Sequence, residues 1–211
     1  MEHAKTFKSV TPGIWFLDDD LSLSARYLTN KHLSKNIENI IRVLINVRYY
    51  YFGIRSNRHF DYYFDNSRKQ ETIEKLFGYD ITTITKYNFS FVLYTHKISK
   101  WARRCQENYL YLLDYLDKCL IEWEFRTKKS HKLIGISEIL LDDKIFINKL
   151  QKGNIKKIQL EWKVIPLKYR TKDIITGFRK FYSSKIEDCI VEYKDSNRDI
   201  PEFIISKRNI V

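Results

Sequence analysis

The chain has 211 residues, of which 44% are apolar and 15% aromatic, with only 6 Gly and 3 Pro. That composition excludes an intrinsically disordered chain, a collagen-like repeat and a disulfide scaffold, and the length suits one domain with sizeable insertions. The 38 Lys and Arg against 26 Asp and Glu leave a formal charge of +12, which favours a polyanionic partner, nucleic acid before an anionic membrane surface.

Cys105, Cys119 and Cys189 cannot all pair within one chain, and no C-x-x-C is present, so a reduced intracellular protein is expected. The first 13 residues lack the apolar run of a secretory signal, and no stretch approaches the roughly 20 apolar residues of a membrane span. The expectation is a soluble protein of cytoplasm, nucleus or virion, with no membrane partner. Richness in Ile, Lys, Asn and Tyr fits an A+T-rich genome such as a virus's.

Residues 1–13 read as an N-terminal extension ending in the turn signal Thr11-Pro12-Gly13. Ile14 to Leu17 is a small strand or extended segment. Asp18, Asp19 and Asp20 follow as cap and solvated turn, with Asp20 or Ser22 as the N-cap of a first helix. That helix is expected from about Leu21 to Tyr50, with Leu33, Ile37, Ile40, Leu44 and Val47 as its buried stripe. Lys31, Lys35, Glu38 and Arg42 form a separate row at the same spacing, either solvated or facing phosphate. His32, Asn36 and Asn39 lie between the two rows.

An insertion is expected at about 49–94, where Tyr49 to Phe52, Phe60, Tyr62, Tyr63 and Phe64 alternate with Arg48, Arg55, Arg58, Arg68 and Lys69. Aromatics among arginines either stack bases and contact phosphates or form an irregular core with outward charges, the latter being favoured. Tyr87 to Tyr94 has partial strand character. A long second helix is expected from about Ser99 to Thr127, whose apolar face (Trp101, Tyr109, Leu112, Leu116, Leu120 and Trp123 among others) reads as a central helix packed on two sides. Glu122 and Arg126 are placed to pair along it.

A second insertion, about 133–164, is expected to hold one or two short helices and a strand around Ile158, Leu160 and Trp162. A third helix spans about Thr171 to Tyr193, with Phe178, Tyr182 and Ile186 on its core side, and residues 206–211 are a tail. The expected architecture is therefore mainly α: a single domain over 14–205 built on three long helices, with short helices and minor β in the insertions.

No Walker loop, G-x-G-x-x-G, H-E-x-x-H or G-x-S-x-G occurs. The five histidines lack ligand-type spacing, so neither a metal nor another cofactor is expected, a site from His96, His131 and a carboxylate being the minor alternative.

Four strings in order carry a resemblance. Ser24-Ala25-Arg26-Tyr27-Leu28-Thr29-Asn30-Lys31-His32-Leu33-Ser34-Lys35 comes first, then Thr95-His96 with Trp101-Ala102-Arg103 and Asn108-Tyr109. Next are Glu122, Arg126 and Lys129-Ser130-His131-Lys132. Last are Pro166, Tyr169, Arg170, Phe178-Arg179, Tyr182 and Lys185, followed by Arg198 and Pro201-Glu202-Phe203. Over about 14–205, interrupted by the two insertions, the chain resembles proteins grouped with pyrimidine-dimer DNA glycosylases of the phage endonuclease V type.

What the resemblance implies is an enzyme that extrudes a damaged or modified base, or meets an abasic site, and attacks the sugar C1′ with an amine while a carboxylate assists. Its characterised members use the processed N-terminal amine and a glutamate on the first helix. Here about 13 residues precede Ile14, and His32 occupies the aligned position of that glutamate. The catalytic candidates are thus Lys31 as the amine, although a phosphate contact is its favoured role, His32 and His96 as acid/base groups, and Glu122 as the carboxylate. Lys35 is a phosphate contact or a second amine. Arg103, Arg126, His131, Lys132, Arg179 and Lys185 are the other nucleic-acid contacts. Each has a bland reading: His32 as a satisfied helix-side ring, Glu122 as a salt-bridge partner, the basic residues as solvated surface. Lys31, His32, Lys35, His96, Arg103, Glu122, Arg126, His131 and Lys132 are expected to line one cleft for duplex DNA. The rival expectations are a non-catalytic architectural nucleic-acid binder on the same scaffold and an enzyme of free nucleotides.

Overall fold

The computed structural model describes residues 13–51, 97–142, 144–150, 165–186, 193 and 197–205. The N-terminal extension, most of the 49–94 insertion, the strand expected at 158–162, His96, Cys189 and the tail lie outside the described residues. Among those described, the protein is mainly α and has no strand. The helices are α1 (Leu21–Arg26), α2 (Asn30–Tyr51), α3 (Lys97–Ala102), α4 (Gln106–Thr127), α5 (Ile134–Asp142), α6 (Lys144–Lys149), α7 (Ile174–Ser183) and α8 (Glu202–Ile205), with a 3₁₀ turn at Leu167–Tyr169.

The first expected helix is two helices. Asp20 caps α1 through its side chain, which accepts from the Ser22 and Leu23 amides. The chain then turns at 27–29, because groups from far along the sequence take the carbonyls that α1 leaves unpaired. Arg126 donates to Arg26 O at 2.8 Å and Leu28 O at 2.7 Å, while Tyr193 OH donates to Tyr27 O at 2.6 Å. Thr29 restarts the helix: its Oγ1 accepts from the His32 amide at 3.4 Å and its carbonyl from the Leu33 amide at 2.8 Å.

Leu33, Ile37, Ile40, Leu44 and Val47 are all buried, each contributing about 1.5–3 kcal/mol through removal from water. Val43, Ile45, Asn46 and Arg48 are buried too, so the second half of α2 is enclosed on nearly every side. The second half of α2 is thus closed on more sides than α4, which leaves Leu110, Ile121 and Phe125 exposed. As its aromatics suggested, α4 is central: it packs against α1, α2, α3, α5 and α6, and those rings meet several of these elements. Phe16 meets Tyr111 and Tyr115, and Phe146 of α6 meets Tyr109.

The second expected helix is also broken. Cys105 adopts an extended backbone between α3 and α4, and Asn108 Nδ2 bonds back to Trp101 O at 2.7 Å. The short helices expected after residue 133 are α5 and α6, which pack against α4.

Residues 13–17 are extended and threaded between α2, α4 and α7. Asn39 Nδ2 donates to Gly13 O, and Asn36 Oδ1 accepts from the Trp15 amide, both at 2.9 Å. Ser24 Oγ accepts from the Leu17 amide and lies 2.8 Å from Tyr115 OH, which itself donates to Trp15 O. The Tyr115 proton is committed to that carbonyl, so the Ser24 hydroxyl donates to Tyr115. Side chains of α1, α2 and α4 thereby take Gly13 O, Trp15 N, Trp15 O and Leu17 N. At the far side, α7 is capped by Asp173 through the Thr176 amide. A Cβ on Gly177 would come within 3.1 Å of Tyr169 O, so glycine lets the 3₁₀ turn lie against α7. Together these contacts place Trp15, the N-terminal end of α2 and one flank of α7 side by side.

Candidate functional site

His32 is half-buried at the start of α2. Its Nδ1 lies 3.0 Å from Thr29 Oγ1 and 3.3 Å from Tyr182 OH, and Tyr182 OH also accepts from the Thr29 amide at 2.8 Å. The ring meets Tyr182 edge-on at 5.2 Å and Trp15 at 6.2 Å. Trp15 in turn contacts Phe181 at 5.0 Å, and Phe181 stacks on Tyr169 at 5.2 Å. Trp15, His32, Tyr169 and Phe181 are only partly buried, so they form an aromatic shelf open to solvent. Cations edge it: Lys185 Nζ is 5.8 Å from the Phe181 ring, Lys168 Nζ is 4.9 Å from the Tyr169 ring, and exposed Lys31 adjoins His32 in the chain. Burial lifts the Tyr182 hydroxyl to a pKa of about 12, so it stays protonated as a donor to its neighbours.

One turn along α2, Lys35 pairs with Glu38 at 2.5 Å, and Arg42 lies 4.0 Å from the same carboxylate. Burial pushes the Glu38 carboxyl up, but Lys35, Arg42 and nearby Lys132 together hold it below its ordinary value. Lys132 is exposed, so this ridge of Lys35, Arg42 and Lys132 runs on from the shelf with a net positive balance. No family model, no curated protein and no solved structure matches this chain.

Among the described residues, those expected to line one cleft do not all share one surface. His32 and Lys185 lie at the shelf, with exposed Lys31 next to His32 in the chain, and Lys35 and Lys132 both act on Glu38 at the ridge. Arg103 lies over the Tyr50 ring at 4.0 Å, near the other end of α2 and about 28 Å from Lys31 at 1.5 Å rise per residue. Arg179 faces the opposite flank of α7, bonded to Leu17 O and Asp18.

Glu122 and Arg126 occupy structural positions. Glu122 Oε1 accepts from Arg126 Nε at 2.6 Å and Arg198 Nε at 2.7 Å, while Oε2 accepts from Arg198 Nη2 at 2.6 Å. The Arg126 side chain is 0% exposed and its remaining bonds go to the 26–30 turn, including Asn30 Oδ1 at 3.1 Å. An arginine enclosed in this way cannot reach a phosphate. Burial raises the Glu122 carboxyl, but bonds from Arg198 and Arg126 outweigh it and hold the group ionised below its ordinary range. It is the salt-bridge partner of the bland reading, held behind Arg126, which itself reaches Asn30 at the start of α2.

His131 is likewise a structural residue. It is 3% exposed, packs edge-on against Trp123 at 5.1 Å, and its Nδ1 accepts from the Leu133 amide at 3.2 Å. The remaining proton sits on Nε2, which donates to Ser34 Oγ at 3.0 Å. Burial, reinforced by Lys132, lowers its pKa to about 4. A neutral ring offers no charge to a phosphate, so His131 leaves the set of anion contacts.

The linkage has a definite sign. The folded ring resists protonation, whereas the unfolded one titrates at 6.5, so stability is complete above that pH and declines as pH falls towards 4, by up to about 3 kcal/mol. Chemical denaturation between pH 7 and 4 is expected to show this loss, and His131→Gln to flatten that part of the profile.

Sequence reasoning missed Trp15, Lys168 and Phe181 as surface groups. The only signal was their place among the resembling strings and at the start of the first apolar run.

Proposed function

We propose that this chain binds nucleic acid, duplex DNA first, across the aromatic shelf and the basic ridge of α2. The carrying observation is the junction of His32 with Phe181 and Lys185 around Trp15, which gives half-open ring faces bordered by lysines. Rings supply stacking that any base can use, at about 1–3 kcal/mol per base, and lysines supply the phosphate contacts. The formal charge of +12 supports the same reading.

Among the described helices, none is long and apolar enough to cross a membrane.

Glycosylase or abasic-site lyase chemistry, as the resemblance implies, is the catalytic form of this proposal. Lys31 or Lys35, as the free amine, would attack C1′. On a damaged nucleotide the C1′–N bond breaks and the base leaves with its electron pair; on an abasic sugar the C1′ oxygen leaves as water. The proton lost by the amine as the Schiff base forms passes to an acceptor beside it and on to the leaving group. Glu122 is committed to two arginines, leaving His32 next to Lys31 and Glu38 next to Lys35 as the groups in place. The same commitment of Glu122 favours a second reading, an architectural binder that has kept the scaffold without the reaction. Borohydride reduction on abasic duplex DNA separates the two. The catalytic form predicts a trapped covalent adduct that Lys31→Ala or Lys35→Ala removes. Salt-sensitive binding with no adduct assigns the architectural form, and an adduct untouched by both variants rules out these amines.

A further inference from the structure

A second surface lies on the other flank of α7. Residues 179 and 181 are about 200° apart on a helix, so Arg179 points away from the Phe181 shelf. There, Arg26, Tyr27, Arg179, Arg198, Asp199 and Phe203 line a cleft of about 540 Å³, within the range of about 300–1,000 Å³ that small-molecule sites occupy. Two of its guanidiniums are fixed along one edge. Arg179 donates Nε to Leu17 O at 2.6 Å and Nη2 to Asp18 at 2.5 Å, and Arg198 donates Nε and Nη2 to Glu122. In both, Nη1 makes no hydrogen bond among the described residues. Arg26 is exposed at the end of α1.

The remaining wall is aromatic and acidic. Tyr27 and Phe203 meet edge to face at 5.5 Å, with the Arg179 guanidinium 5.3 Å from the Phe203 ring. Asp199 and Glu202 complete the rim. Anchored guanidiniums with donors to spare suit a phosphate, since their ordering cost is already met by Asp18 and Glu122. Asp18, Glu122, Asp199 and Glu202 match Arg26, Arg126, Arg179 and Arg198 in formal charge. The donors here therefore act as hydrogen-bond groups in a near-neutral cleft, which disfavours a polyphosphate and suits a ligand with one phosphate and a hydrogen-bond donor of its own. A bare anion would make no contact with the two rings, which Arg179 already approaches at 5.8 and 5.3 Å.

We propose that this cleft binds a nucleoside monophosphate unit, its phosphate against Arg26, Arg179 and Arg198, its base against Tyr27 and Phe203, and a base amino group towards Asp199. Such a unit comes from a free nucleotide or from one nucleotide of a strand. The proposal does not depend on the shelf, and failure of DNA binding there leaves it intact.

Calorimetric titration of the full chain with AMP and CMP tests it. Saturable binding is expected, competed by inorganic phosphate, at least tenfold weaker for adenosine, and at least tenfold weaker in Arg26→Ala, a surface change that keeps the circular dichroism spectrum. Displacement of AMP by a short oligonucleotide at equal phosphate concentration assigns the strand source, and no displacement assigns the free nucleotide. No binding of either nucleotide at millimolar concentration, or binding unchanged in both Arg26→Ala and a folded Phe203→Leu, overturns it.

Discussion

Glu122→Ala is expected to lower the unfolding free energy by about 3–5 kcal/mol, the cost of breaking a buried pair and stranding its partner. The effect is large because three elements depend on one carboxylate. Glu122 holds Arg198, and so the 197–203 segment, to α4; it also fixes Arg126, whose side chain is 0% exposed and whose other bonds close the turn between α1 and α2. Arg126 would be left with an uncompensated charge beside two carbonyls. The isosteric Glu122→Gln keeps the shape but loses the charge and is expected to fall between the two. The pH dependence follows with its sign. A carboxyl held below its ordinary value contributes fully above the unfolded value and is lost as pH falls through the folded one. Urea denaturation of both variants between pH 7 and 3 measures this. Wild-type stability in either variant would show that the clamp is ornamental.

The second large effect concerns binding. The triple variant Lys31→Ala, Lys168→Ala, Lys185→Ala is expected to bind duplex DNA on the order of 100-fold more weakly near 0.15 M salt and to reduce the log–log salt slope by about 2.7, the value for three phosphate contacts. All three side chains are exposed, so the fold is expected to survive, within about 0.5 kcal/mol per site. A control triple, Lys100→Ala, Lys118→Ala, Lys128→Ala, removes the same charge from α3, α4 and the residue that caps α4 and is expected to change the slope much less. Equal losses in both would show that net charge, and not the shelf, drives association.

These two expectations mark what the sequence makes legible. The apolar stripe of α2 and the cap at Asp20 are local patterns, and local patterns survive folding. The breaks at 27–29 and 103–105 are not local. The first is enforced by Arg126 and Tyr193, and no periodicity near residue 27 announces them. The pair Glu122 and Arg126 is visible from its helical spacing, yet in isolation it is worth only a few tenths of a kcal/mol. Arg198, 76 residues from Glu122, turns it into a buried three-membered clamp. The same long-range closure removes Arg126 and His131 from the surface, so residues that look like anion contacts in the sequence become supports in the structure.

The resembling strings did gather Lys31, His32, Tyr169, Tyr182 and Lys185 in one region, although they are distant in the chain. They did not point to the half-open faces of Trp15 and Phe181, since burial depends on neighbours supplied by α2 and the 3₁₀ turn. Arg26 and Tyr27, on the far flank of α7, belong to no catalytic pattern and become notable only once Arg179, Arg198 and Phe203 are folded beside them.

Photocrosslinking tests the central claim most directly: duplex DNA carrying 4-thiothymidine is irradiated with the full chain, and the attached peptides are mapped. The account predicts attachment at Trp15, Tyr169 and Phe181, suppressed by rising salt. Attachment confined to the exposed α4 face around Ile121 and Phe125, with those three residues untouched, would contradict it.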